Sequence, residues 1–116
     1  MGEEKIFNVE KMVDQYVSKF PVNVVVDKVF LFGSYATGQA RDDSDVDLIV
    51  LSDDFREMPF IKRLEFLSKL RRHAPLSLEV PMDIFGYTPE EFEEIDKESA
   101  IMRRAKKEGR FVWQRS

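Results

Sequence analysis

Two apolar runs, residues 29–32 and 46–51, lie so close together in this chain that the connection between them is short for a full crossover between parallel strands. The first run leads into Phe32-Gly33-Ser34. Ten residues then intervene before the second opens with Asp45-Val46-Asp47-Leu48. Residues i and i+2 of a strand point to one face, so Asp45 and Asp47 project side by side while Val46 and Leu48 point the other way. Two carboxylates held that close repel each other and call for a cation between them. The Gly33-Ser34 turn offers bare backbone N–H groups and a hydroxyl, which suit phosphate oxygens. Metal and phosphate together are the implied chemistry.

The rest of the chain supplies layers for such strands. Val9, Met12, Val13, Tyr16, Val17 and Phe20 recur at helical spacing, and Pro21 stops the pattern. Residues 34–38 read as a short helical turn and residues 39–44 as a polar loop. After Pro59, a residue suited to a first helical turn, Phe60, Ile61, Leu64, Leu67 and Leu70 predict an apolar helix stripe up to about Arg72. Residues 76–85 alternate in polarity and predict a third strand, with Pro81 implying an edge position or a bulge. Thr88, Pro89 and Glu91 form a capping-box helix start, and the helical region that follows breaks near residues 96–99. Gly109 is placed as the residue just past the last helix, and residues 111–113 as a short terminal strand. The expected fold class is α/β: a small mixed β-sheet flanked by helices, in a single domain over residues 1–116.

Composition narrows the function. The chain has 116 residues, 43% of them hydrophobic and 12% aromatic, enough for a real core. It has no cysteine, which excludes a thiolate zinc site, a redox site and disulfides, and one histidine, His73, which excludes a multi-histidine metal site. A net charge of −4 argues against a dedicated nucleic-acid binder. The polar, acidic first residues, MGEEKIF, do not resemble a signal peptide and miss the myristoylation pattern, and no apolar run is long enough to span a bilayer. The expected location is cytoplasmic. Asp42, Asp43, Asp45, Asp47, Asp53 and Asp54 crowd the motif region, whereas Arg103, Arg104, Lys106, Lys107 and Arg110 cluster near the C-terminus and read as a solvated helix face. Asp43, Asp45, Asp47 and Asp54 also fall at ligand positions of an EF-hand loop. Leu48 stands where that loop needs glycine, and residues 48–51 favour a strand, so this reading is rejected.

Residues 32–48, FGSYATGQARDDSDVDL, resemble the signature of the DNA polymerase beta-like nucleotidyltransferases. The pattern is an apolar residue, Gly, Gly or Ser, a spacer of about this length, then Asp-x-Asp and an apolar residue. The stretch is most similar to the minimal nucleotidyltransferases (MNT), the small single-domain branch related to kanamycin nucleotidyltransferase, and length and element order extend the likeness over nearly the whole chain. The resemblance implies the polymerase beta-like nucleotidyltransferase fold, with the first two strands antiparallel. It implies a Mg²⁺-dependent enzyme that binds an NTP, by default ATP, and transfers the nucleotidyl group to an acceptor hydroxyl with release of pyrophosphate. Asp45 and Asp47 would then bridge two Mg²⁺ ions. Asp83, at the position where the family places a further carboxylate on the next strand, would complete the metal and catalytic set. Gly33 and Ser34 would orient the triphosphate. The family often carries Arg where this chain has Thr37; Arg41 either supplies phosphate charge instead or pairs with neighbouring aspartates. Against these readings stand a solvated strand mouth for the Asp pair, a plain strand-ending turn for Gly33 and Ser34, and a surface acid at Asp83, with Glu79 the next candidate.

Larger members of that superfamily close the site with a second domain, for which this chain has no length. A homo-oligomer or a partner protein is therefore expected to complete the pocket. Proteins that resemble this one are often paired with a small helical HEPN-type partner, as the antitoxin of a HEPN/MNT toxin–antitoxin pair. The antitoxin would act by adenylylating the partner or, alternatively, as a catalytically silent module that neutralises it by binding.

Overall fold

The structure, a computed structural model, describes residues 7–116. The readings that rest on residues 1–6 lie outside it. In chain order the elements are α1 (Val9–Ser18), β1 (Lys28–Phe32), α2 (Ser34–Thr37), β2 (Val46–Leu51), α3 (Phe60–Leu70), β3 (Met82–Tyr87), α4 (Pro89–Glu93), α5 (Ala100–Glu108) and β4 (Arg110–Gln114). The sheet order is β3-β2-β1-β4. As the short connection requires, β1 and β2 are antiparallel; β4 pairs antiparallel with the far side of β1, and β3 runs parallel to β2. The sheet is mixed, and the fold is α/β. No helix among the described residues is long and apolar enough to cross a membrane.

Strand alternation divides the core into two layers. Val29 and Leu31 of β1, with Val46, Leu48 and Val50 of β2, pack against Met12, Val13 and Tyr16 of α1 and Leu67 and Leu70 of α3. Phe30, Ile49, Leu51 and Tyr87 face the other way, onto Phe92 of α4 and Ile95 beyond it. The Tyr16 hydroxyl donates to the Leu67 carbonyl at 2.7 Å and ties α1 to α3. Trp113 and the methionines Met12, Met58 and Met82 serve this first core, and Met102 the second, as packing residues.

Three elements depart from expectation. The third strand starts at Met82, because residues Pro75–Glu79 form a 3₁₀ turn instead. Pro75 lacks the N–H a strand would donate. The Arg71 guanidinium takes the Ser77 and Val80 carbonyls at 2.6 and 3.0 Å, while the buried Ser77 hydroxyl donates to Ala74 at 2.7 Å. The segment's hydrogen-bonding groups are thus engaged locally, and Leu78 is left exposed.

The first turn of α3 does not carry its apolar stripe inward. Phe60 and Ile61 are exposed, and Arg63 is the buried residue there. Its guanidinium donates to the Met58 carbonyl at 2.9 Å, to the Gly86 carbonyl at 3.2 Å and to the Glu91 carboxylate at 2.6 Å, with the Phe55 ring beneath it. Glu91 also closes the expected capping box with Thr88, so Arg63 pins the start of α4 to the end of β3. Arg63→Leu is expected to cost about 3 kcal/mol, since it strands two carbonyls and a carboxylate without their donor. Urea denaturation checks this; an unchanged midpoint would show the network to be idle.

Finally, Gly109 does end α5, but in an extended conformation with φ −84° rather than a left-handed one. Its need for glycine is close approach: a Cβ there would sit 2.4 Å from the Leu31 carbonyl oxygen and 2.5 Å from the Phe30 ring.

Candidate active site

Strand register assembles the carboxylates. Asp47 on β2 lies opposite Asp83 on β3 and opposite Phe32 on the other neighbour, β1. In a parallel pair the two side chains share a face, and Asp45, one residue before β2 begins, lies close enough for its charge to act on Asp47. Asp47 is half-buried, whereas Asp45 and Asp83 are exposed at the rim. Burial, followed by the charges of Asp83 and Asp45 and a hydrogen bond shared with Asp83, pushes the Asp47 carboxyl up to about 6. Ionised Asp47 is thus held at a cost that an arriving positive charge would relieve.

The end of β1 closes over this pair. Gly33 has φ 74° and ψ −159°, a region essentially reserved for glycine. A Cβ at Gly33 would lie 2.2 Å from Asp47 Oδ2, so the missing side chain is the space the carboxylate occupies. Ser34 then opens α2. The first turn of any helix leaves its backbone N–H groups without helical acceptors, which turns the Gly33–Ser34 corner into a donor surface.

A cleft of about 350 Å³ opens here, lined by Phe32, Gly33, Ser34, Thr37, Asp47 and, from α5, Ile101, Arg104 and Glu108 among others. A second, larger cleft of about 580 Å³ flanks α2 through Tyr35 and is lined by Phe7, Lys11, Arg41, Asp42 and Glu79. The smaller cleft takes in Gly33, Ser34 and Asp47. The larger one contains none of the three clustered aspartates.

Among the described residues, no three acidic or histidine side chains converge closely enough to hold an ion on their own. The donor set nevertheless fits Mg²⁺, which keeps several waters and is bound through one or two carboxylates plus substrate phosphates rather than in an all-protein cage. Asp47 with Asp83 or Asp45 provides those carboxylates, and Gly33 leaves the space beside Asp47 that a side chain would fill.

The sequence profile of the nucleotidyltransferase domain matches residues 9–112. The chain belongs to the nucleotidyltransferase domain family. Curated relatives include a Thermococcus cleftensis protein named protein adenylyltransferase MntA, 45% identical over 49 residues (39% of this chain and 46% of the relative). Another is MJ0141 of Methanocaldococcus jannaschii, which carries the name protein adenylyltransferase and is 36% identical over 55 residues (47% of this chain and 52% of the relative). The chain thus spans about half the length of the curated relatives it matches.

Solved structures share the fold. One is a Sulfolobus solfataricus protein described as a nucleotidyltransferase, with TM-score 0.59 and 24% identity over 91% of this chain and 77% of that one. Another is a toxin–antitoxin structure with AMP-PNP, with TM-score 0.59 and 22% identity over 94% of this chain and 76% of that one.

Within this nucleotidyltransferase domain the structure brings together Gly33, Ser34, Asp45, Asp47 and Asp83. It does not bring Arg41 to them. Arg41 is exposed in the other cleft, in a loop held by the Ser44 hydroxyl accepting from the Arg41 N–H at 2.7 Å. Glu79, the reserve acid, sits in that second cleft too, because its segment is a 3₁₀ turn and not part of β3. Two residues of the smaller cleft, Arg104 and Glu108, escape the sequence reading. Their only signal there is membership of a charged helix face, and nothing local says which sheet end that face overhangs.

Proposed function

We propose that this nucleotidyltransferase domain moves AMP from ATP to an acceptor hydroxyl on a partner protein, acting as the antitoxin of a HEPN/MNT pair. The observation that carries the reading is the Asp47–Asp83 register pair, set against a glycine whose missing side chain leaves room for the Asp47 carboxylate. The names of the relatives, protein adenylyltransferases, and a structural neighbour that is a toxin–antitoxin assembly with AMP-PNP support the choice of nucleotide and acceptor class.

In this reading Gly33 and Ser34 hold the triphosphate by backbone N–H groups, and Asp45, Asp47 and Asp83 would hold two Mg²⁺ ions. Bound Mg²⁺ would supply neutralisation of the phosphate charge. Asp83, exposed beside Asp47, receives the proton of the attacking hydroxyl. The hydroxyl oxygen bonds to the α-phosphorus, the bond from that phosphorus to the bridging oxygen breaks, and pyrophosphate leaves. The cleft is open and shallow, so the acceptor protein, or a second copy of the chain, closes it and excludes water.

Incubation of the complex with α-labelled ATP and Mg²⁺ is expected to leave label on the partner and to release pyrophosphate. Asp83→Asn is expected to slow transfer roughly 10²- to 10³-fold while retaining most of the nucleotide affinity, because its role falls on the proton. Transfer at the wild-type rate would reduce Asp83 to a surface acid. A wild type that neutralises its partner without labelling it would establish the binding-only antitoxin.

A further inference from the structure

The cleft contains a cation that the sequence motif does not predict. Among the described residues lining it, Arg104 of α5 is the one positively charged side chain, and it shares the cleft with Gly33, Ser34, Thr37 and Asp47. Arg41, which the motif would offer for phosphate, lines the other cleft. Lys106, two residues along α5, is engaged by the Glu93 carbonyl at 3.1 Å and Asp96 at 3.4 Å.

Arg104 is held differently. Its side chain is 79% exposed, and its Nε donates to Glu108 one helical turn on, at 2.6 Å. An exposed pair of this kind is worth little in water, typically under about 1 kcal/mol, so an incoming polyanion can displace the carboxylate. The guanidinium fork matches two phosphate oxygens at once, which a lone ammonium cannot do.

We infer that Arg104 binds the β- and γ-phosphates of the nucleotide, with Glu108 parking the guanidinium at the cleft edge until the nucleotide arrives. The assignment rests on the nucleotidyl-transfer reading above, and it gives the cleft a triphosphate cation from the C-terminal helix rather than from the Gly-Ser loop. Glu108 is a positioning residue, and its removal frees Arg104.

Calorimetry with inorganic tripolyphosphate, with AMP and with a non-hydrolysable ATP analogue, each with Mn²⁺, tests it on the full chain. Arg104→Gln is expected to weaken the analogue and tripolyphosphate roughly ten- to hundredfold and to leave AMP almost unchanged. Arg104→Lys should recover part of the loss, and Glu108→Gln should tighten tripolyphosphate. Arg103→Gln, on the same helix but outside the cleft lining, should match wild type. Equal weakening by Arg103→Gln and Arg104→Gln would reduce the effect to the general field of the helix and overturn the assignment. So would wild-type affinity in Arg104→Gln, or equal losses for AMP and the analogue. If Arg104→Gln binds as wild type while the Asp45 and Asp47 variants lose binding, only the Arg104 assignment fails. A wild type that binds neither tripolyphosphate nor the analogue overturns both this assignment and the nucleotide reading beneath it.

Discussion

Replacing Asp45 and Asp47 together by asparagine is expected to lower transfer by roughly 10³-fold or more and to abolish metal-dependent nucleotide binding, with the fold intact. Asparagine keeps the size of each side chain and removes the charge that a hard cation requires. The variant should in fact be the more stable protein at neutral pH. The Asp47 carboxyl is pushed up to about 6, by burial first and by Asp83 and Asp45 after it, from an ordinary value near 3.8. Relative to the unfolded chain, the native state therefore favours the protonated form. Ionising Asp47 costs stability, a cost absent below about pH 4 and complete above about pH 6. Because the side chain is half exposed, solvent reduces the cost to about 1 kcal/mol. Wild type and variant should unfold alike near pH 4, and the variant should gain a few degrees above pH 6.5. In wild type, Mn²⁺-dependent binding of the nucleotide analogue should weaken as pH falls through about 6, where protons compete for Asp47. Equal metal-dependent binding by both proteins at pH 7.5 would show that the cation sits elsewhere.

Gly33→Ala is expected to be nearly as damaging to activity through a single added methyl. The new Cβ would meet Asp47 Oδ2 at 2.2 Å, so one of the two must move. At φ 74° and ψ −159° the backbone is also strained for any L side chain, at about 1–3 kcal/mol. A catalytic carboxylate displaced by even about 1 Å can cost roughly 10²-fold in rate.

Gly38→Ala separates the two effects. Gly38 also has a left-handed φ, 75°, but a Cβ there meets nothing within 4 Å. It should lose stability of about 1 kcal/mol and keep its transfer rate. Steady-state kinetics beside thermal melts distinguishes the two variants. If both lose activity equally, backbone strain in the loop is the cause and the contact with Asp47 is not.

Much of this site was legible before folding because it depends on period-two alternation and on short-range geometry. Asp45 and Asp47 sit two residues apart at the mouth of one apolar strand, and Gly33 ends another, whatever lies around them. The brevity of the segment between β1 and β2 made those strands antiparallel without reference to the rest of the molecule. The capping box at Thr88 and Glu91 is likewise a local device, and it forms as its residues indicate.

Alternation by itself proved insufficient over residues 76–80. There Pro75, the buried Ser77 and the reach of Arg71 committed the backbone groups to a turn, a competition that involves a residue from the end of α3. Arg63 defeated the helical stripe for the same kind of reason. Its partners, Gly86 and Glu91, come from a strand and a helix far along the chain, and only their convergence makes a buried guanidinium tolerable.

The sequence by itself determined the carboxylates at the mouth of β2, the glycine turn before them and the antiparallel hairpin that joins the two strands, because each depends on residues within one or two turns of chain. Only the tertiary structure decided that Asp83 faces Asp47, that Arg41 and Glu79 belong to a different cleft, and that α5 brings Arg104 into the cleft with Gly33, Ser34 and Asp47. Those facts depend on strand register and helix placement, which are set by the summed burial of two core layers and not by any motif.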